Sequence, residues 1–270
     1  MRPRCQYTCL LLSCAVAVIA STVLHADLTT ASTAPSYTAA GVVQAATQTA
    51  GALAPNTLAT IYGTNLSWTT QAVAAGDLVG GTLPTSIDGV TVYADNLLCG
   101  LIFVSPGQIN FLLPYEIVGS SASLVIVRQG TGGPVVTIPM AVAAPGFFQW
   151  NGNFAVAQHA NGTLITQSTP ALPGETIVLY AAGLGRTTPD ISSEQLASAA
   201  VSILYLSQLQ VLLNGVPCPP SSIYYAGVTP GFAGLYQINL TLPAVLNQNP
   251  TIQLIMGAQA SPPSIQLYAQ

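Results

Sequence analysis

The chain has no lysine, and only twelve of its 270 residues are charged, four of them arginine and eight Asp or Glu. Two of the arginines, Arg2 and Arg4, stand at the extreme N-terminus. Loss of that segment leaves Arg128 and Arg186 against all eight carboxylates. Two cations cannot neutralise a phosphate backbone, which excludes nucleic acid as a partner. An anionic membrane surface is excluded on the same ground. The shortage of Glu, Lys and Arg also removes the material of long solvated helices.

Metal-ligating and nucleophilic groups are equally scarce. Beyond residue 26 the sequence holds one histidine, His159, and two cysteines, Cys99 and Cys218. Structural zinc needs about four such ligands, so no metal site and no cofactor is expected. Calcium-loop spacing is missing. There is no Gly-x-Ser-x-Gly elbow, no His-Glu-x-x-His and no Gly-x-x-x-x-Gly-Lys. His159 precedes the Asn161-Gly162 turn and reads as a surface turn residue, with Glu175 its nearest carboxylate in sequence. The carboxylates Asp77, Asp88, Asp95, Glu116, Glu175, Asp190 and Glu194 would make a glycosidase only if two met at about 5–9 Å. None stands in a context that suggests a raised pKa, so no enzyme is expected. Cys99 and Cys218 are too few for a disulfide framework; they read as two buried thiols, with a bridge between the modules as the other reading in an oxidising compartment.

What is abundant is turn chemistry. Gly (24) and Pro (20) together exceed the usual share of about 12%, and half of the chain is apolar. Many short strands joined by tight turns are the expected result. Residues 1–26 have the layout of a secretory signal peptide: Arg2 and Arg4, an uncharged stretch from Cys9 to Leu24, then Leu24-His25-Ala26 before Asp27. That stretch is shorter than the roughly 20 residues that span a bilayer, and nothing later is long and apolar enough to do so as a helix. A secreted or cell-surface location follows as an expectation.

The sequence also repeats itself. PNTLATIYGTNL (55–66) aligns with PGETIVLYAAGL (173–184), placing Tyr62 against Tyr180. VYADNLLC (92–99) aligns with VLLNGVPC (211–218), and QINFLLP (108–114) with QINLTLP (237–243). Three matches in one order indicate an internal duplication. A period of roughly 120 residues suits a whole β-sandwich. The expected organisation is a leader at 27–39, one module at 40–146 and a second at 147–270, the boundary set by Ala144-Pro145-Gly146.

Alternation supports strands. Ile109, Phe111 and Leu113 share one side, Gln108 and Asn110 the other; Ile238, Leu240 and Leu242 oppose Gln237 and Asn239 likewise. Further strands are expected at 58–62, 124–128, 135–140, 176–180, 210–213, 251–256 and 264–268. Asn161-Gly162 and Asn214-Gly215 are turn pairs, and 192–200 offers one capped helical turn, read as a surface insertion. The paired Gln and Asn residues fit either a polar ladder that contacts a glycan or a partner strand, or amides that hold a neighbouring loop. Trp68, Trp150, Tyr224 and Tyr225 are the candidate ligand-binding aromatics, with covers over the sandwich ends as the other reading.

A set of residues from the two halves (Pro55, Tyr62, Gly63, Leu66, Ser105, Pro106, Gln108, Asn110, Pro114, Pro145, Gly146 and Phe147, with Pro173, Gly174, Tyr180, Gly183, Leu184, Pro230, Gly231, Gly234, Gln237, Asn239 and Pro243) resembles the Solibacter C-terminal domain of secreted acidobacterial proteins. The resemblance covers nearly all of residues 40–270. It implies tandem immunoglobulin-like sandwiches outside the cytoplasm and implies no mechanism. Members of that family often end a longer protein, whereas this chain is almost only the tail. The leading expectation is a non-catalytic β-sandwich protein for adhesion, assembly or matrix contact with a protein or glycan partner. A carbohydrate-binding or carbohydrate-processing protein is the main alternative, and an outer-membrane barrel a third.

Overall fold

A computed structural model describes residues 34–270; the expected signal peptide lies outside the described residues. Their main strands, in chain order, are β1 (Ser36–Gln44), β2 (Leu58–Thr64), β3 (Val90–Ala94), β4 (Gly100–Val104), β5 (Gln108–Leu112), β6 (Ser121–Arg128) and β7 (Val136–Pro139). There follow β8 (Ala157–His159), β9 (Thr176–Ala182), β10 (Val201–Ile203), β11 (Leu209–Leu213), β12 (Ile223–Val228), β13 (Tyr236–Thr241) and β14 (Ile252–Met256). No α-helix occurs among the described residues.

All strand pairs are antiparallel, and the order repeats. One sheet runs β1-β2-β5-β4 and faces a second made of β7-β6-β3. Further along the chain, β8-β9-β13-β12-β10 reproduces the first sheet and the β11–β14 pair reproduces the second. The result is two tandem immunoglobulin-like sandwiches. Period-two patterning drives this: Ile109 and Phe111 of β5, and Ile238 and Leu240 of β13, are fully buried, while their polar neighbours are half-buried. The apolar core is accordingly split. One cluster draws on residues 37–140, the other on 143–269.

Three local expectations need correction. β1 starts at Ser36, inside the segment read as a leader, because Tyr37 is buried and its hydroxyl ties β1 to the opposite sheet. That hydroxyl accepts from Ile126 N–H (2.7 Å) and donates to the Pro134 carbonyl (2.6 Å). Residues 192–200 form no helix. Their backbone groups are spent on the first module: Leu83 N–H donates to Glu194 O, and Leu196 N–H donates to Gly81 O, each at 2.8 Å. Residues 264–268 alternate correctly, with Ile265 and Leu267 buried, but make only isolated bridges.

The described residues pack as one unit, and the two sandwiches meet along a seam. Gln44, at the end of β1, donates from Nε2 to the Ala144 carbonyl. Asn56 Nδ2 donates to the hydroxyl of buried Tyr236 at 3.0 Å. Gly234 lies so close to β2 and β5 that an added Cβ would stand 2.8 Å from Leu112 Cδ1 and 2.9 Å from Leu58 N.

Candidate functional site

The duplicated Tyr, Gln and Asn residues come together on the outer sheet faces. Tyr62 lies directly across from Gln108 and Thr60 across from Asn110, where β2 pairs with β5. Tyr180 lies across from Gln237 and Val178 across from Asn239, where β9 pairs with β13. Directly opposed residues in an antiparallel pair share a face. The amides then bond along the strand. Gln108 Nε2 donates to Asn110 Oδ1 at 2.8 Å, and Gln237 Nε2 donates to Asn239 Oδ1 at 3.2 Å. Each tyrosine hydroxyl reaches a further glutamine: Tyr62 donates to Gln48 Oε1 at 2.8 Å and Tyr180 to Gln158 Oε1 at 2.7 Å. The amides therefore hold each other, not a neighbouring loop.

Tyr225 joins the second copy of this array. It lies across from Asn239 where β12 pairs with β13. Its hydroxyl reaches the carbonyls of Val228 (2.8 Å) and Val201 (3.1 Å), passing over Gly227, where an added Cβ would stand 2.5 Å from it. Glycine is needed there because the phenol occupies the space of a side chain. Half-buried Gln158, Tyr180, Gln237, Asn239 and Tyr225 thus form one uncharged patch of amides and phenol rings. Gln48 and Gln158 are members that sequence reasoning missed; both stand outside the aligned repeat segments.

The other candidate aromatics lie elsewhere. Trp68, half exposed, follows β2 and has the Arg128 guanidinium 3.7 Å from its ring centroid. Arg128 is buried and also donates to the Asn65 carbonyl, so Trp68 covers a buried cation. Trp150 lies on a short hairpin arm across from Phe154, whose ring stacks on Tyr268 at 3.6 Å. Tyr224, on β12, is well exposed.

His159 lies on β8, half-buried, rather than in the turn beyond it. Its Nδ1 pairs with Glu175 Oε1, and Glu175 Oε2 accepts from Leu172 N–H at 2.9 Å. Its Nε2 faces the Thr169 carbonyl at 3.2 Å. A carbonyl has no proton to give, so the ring has no nucleophile to activate there. Glu194 departs from the sequence expectation: burial, and then the charge of Glu116, push its carboxyl above the usual carboxylate range. Glu116 is held by the Ser193 hydroxyl. No cluster of three or more His, Cys, Asp or Glu able to hold a metal occurs among the described residues.

Cys99 and Cys218 are both free and buried. Burial, with the charge of Glu194 second, pushes the Cys99 thiol up; burial alone raises Cys218. Raised thiols stay protonated and are poor nucleophiles. The folded state keeps protons that the unfolded chain releases above about pH 8.5, so this stability is present below that pH and lost as pH rises. Buried Tyr37 and Tyr236, both raised chiefly by burial, add a second loss from about pH 10. Calorimetry from pH 7 to 10.5 should show falling stability. Cys99→Ala should flatten the first part of the fall, by up to about 1.4 kcal/mol per pH unit. An unchanged slope in that variant would show that Cys99 plays no part.

No protein-family model matches the sequence, and no curated protein matches it. Among solved structures the chain is similar to the surface glycan-binding protein PbSGBP-B from Prevotella bryantii, at 10% identity over 86% of this chain and 42% of that one, TM-score 0.28. It is similar to SGBP-B of the Bacteroides ovatus mixed-linkage glucan utilization locus, in complex with a mixed-linkage heptasaccharide, at 10% identity over 76% and 36%, TM-score 0.31. The I9–I11 tandem of titin matches at 9% identity over 80% and 61%, TM-score 0.23. The chain spans less than half the length of the two glycan-binding proteins. Likenesses of this size assign no family, and the chain is described by its own architecture: two immunoglobulin-like sandwiches carrying duplicate Tyr-Gln-Asn arrays.

Proposed function

We propose that this is a non-catalytic extracellular binding protein that holds a neutral, hydroxyl-rich polymer, a glycan, on the outer face of its second module. The observation that carries the reading is the uncharged patch of Gln158, Tyr180, Gln237, Asn239 and Tyr225 on β8, β9, β13 and β12. An amide offers a donor and an acceptor side by side, which suits neighbouring sugar hydroxyls. Tyrosine rings offer an apolar surface to the C–H face of a sugar. An anionic ligand would find little to pair with: Arg128 is buried against Trp68, and Arg186 is bound to Asp190. The extracellular compartment rests on the N-terminal layout and on the resemblance to secreted acidobacterial domains. Adhesion or matrix contact would be the consequence of holding such a polymer.

The test is retention of the full chain on neutral polysaccharides: cellulose, chitin, xylan, mannan and mixed-linkage glucan. At least one should retain it. Combining Gln237→Ala with Asn239→Ala should weaken retention about tenfold or more, the equivalent of one lost hydrogen bond of about 1.4 kcal/mol. Combining Trp68→Ala with Trp150→Ala should leave it near wild type. Failure on all five polymers, or indifference to the Gln237 and Asn239 changes, would end this reading.

A further inference from the structure

A cleft of about 480 Å³ lies at the seam between the modules, within the roughly 300–1,000 Å³ range of small-molecule sites. Its walls come from both sandwiches: Gln44, Thr47 and Thr49 at the end of β1, and Gln253 and Gln259 on and after β14, with Pro262 beside them. No charged side chain lines it. Gln253 Nε2 donates to the Ser261 carbonyl at 2.8 Å, which fixes that amide. The Thr47 and Thr49 hydroxyls bond each other at 2.8 Å.

One wall residue stands out. Gln44 is 4% exposed, and its Nε2 is committed to the Ala144 carbonyl. Its Oε1 is buried and has no hydrogen-bond partner among the described residues. A buried acceptor left this way loses its hydration without compensation, and such groups need an explanation. A donor entering from the cleft with a small shift of this side chain would supply one.

We infer that this seam cleft is a second binding site, taking one or two sugar units of a neutral glycan. Amides and hydroxyls on the walls match sugar hydroxyls, and the proline ring gives a flat apolar surface for C–H groups. An anionic or cationic ligand would meet no counter-charge. The inference rests on the glycan reading for its ligand class but shares no residue with the sheet-face patch. Because the cleft is built from both modules, an occupant stabilises their union, and ligand binding to the folded state alone raises stability.

The experiment uses the full chain, isotope-labelled, titrated with cellobiose, xylobiose, mannobiose and maltose. At least one disaccharide should shift the Gln253, Gln259 and Thr49 resonances saturably and raise the thermal midpoint. Ala260→Trp, which fills the cleft from its rim, should weaken that binding at least tenfold. Gln259→Ala combined with Thr49→Val, both at exposed positions, should weaken it even if the tryptophan variant does not fold. The Gln237→Ala, Asn239→Ala pair should leave these shifts in place. Absence of shifts with all four sugars, or shifts that persist undiminished in the cleft variants, overturns the inference. Disaccharide shifts without polysaccharide retention would remove the sheet-face reading alone, and retention without shifts would remove the cleft alone.

Discussion

Gly183→Ala should destabilise the protein by about 3 kcal/mol or more, whereas Gly174→Ala should cost only about 1–2 kcal/mol. The two glycines have nearly the same backbone, with φ of 75° and 73°. An L-residue pays the left-handed penalty at either position. Their surroundings differ. Nothing lies within 4 Å of a Cβ added to Gly174. At Gly183 the Cβ would stand 2.6 Å from Gln44 Nε2 and closer still to the Ala144 carbonyl oxygen. Those two atoms form the Gln44–Ala144 hydrogen bond of the seam, and Ala144 N–H also donates to Gly183 O at 2.8 Å. The methyl group must therefore push the connecting segment off the first module. For a domain pair of this size, 3 kcal/mol corresponds to roughly 6–12 °C in the thermal midpoint. Calorimetry of the two variants side by side decides the matter: equal losses would mean that close approach at the seam adds nothing.

The contrast between those glycines also shows which parts of the molecule can be read from sequence. Strands were legible wherever side chains alternate and the partner lies in the same module. Gln108 to Leu113 and Gln237 to Leu242 carry their own burial pattern, because period two is a local property. Asn214-Gly215 was legible for the same reason, both residues having positive φ between β11 and Val216. Residues 192–200 misled because a capping pattern is also local, while the groups that would close the helix bond Gly81 and Leu83, more than a hundred positions away. Tertiary hydrogen bonds overrode propensity. Residues 264–268 misled differently. Their backbone partners are divided among segments: Gln266 N–H donates to Asn153 O, and Leu267 N–H to Pro250 O. Alternation reports a buried side, not a continuous ladder.

The candidate site divides along the same line. Tyr180, Gln237 and Asn239 were visible because the duplication prints them twice. Tyr225 was visible only as an aromatic residue; its place beside Asn239 depends on strand register, which includes a bulge between Ile223 and Tyr225. Gln158 carried no signal, since one glutamine in a short strand is common. The seam was the least legible part. Gln44 with Ala144 and Asn56 with Tyr236 are single contacts across 100 and 180 positions, and no local pattern encodes them.

Tyr236→Phe is the sharper test of that seam, and it should cost about 2 kcal/mol while keeping the ring in place. Tyr236 has no solvent exposure. Its hydroxyl donates to the Gly185 carbonyl within its own module and accepts from Asn56 Nδ2 in the other. Phenylalanine fills the same space but leaves two buried polar groups without their partner, and unmade buried hydrogen bonds are what cost most. Asn56 permits a clean cycle. It has φ of 59°, a conformation glycine accepts, so Asn56→Gly removes the amide without straining the turn. If the hydroxyl links the modules, the two single changes will not add: the double variant should be about 1 kcal/mol more stable than their sum, within the range seen for residues in direct contact. Strict additivity in denaturant unfolding would assign the whole loss to Gly185 and leave Asn56 a bystander. The choice between those outcomes matters for binding as well, because a cleft with walls from two modules keeps its shape only while the modules stay joined.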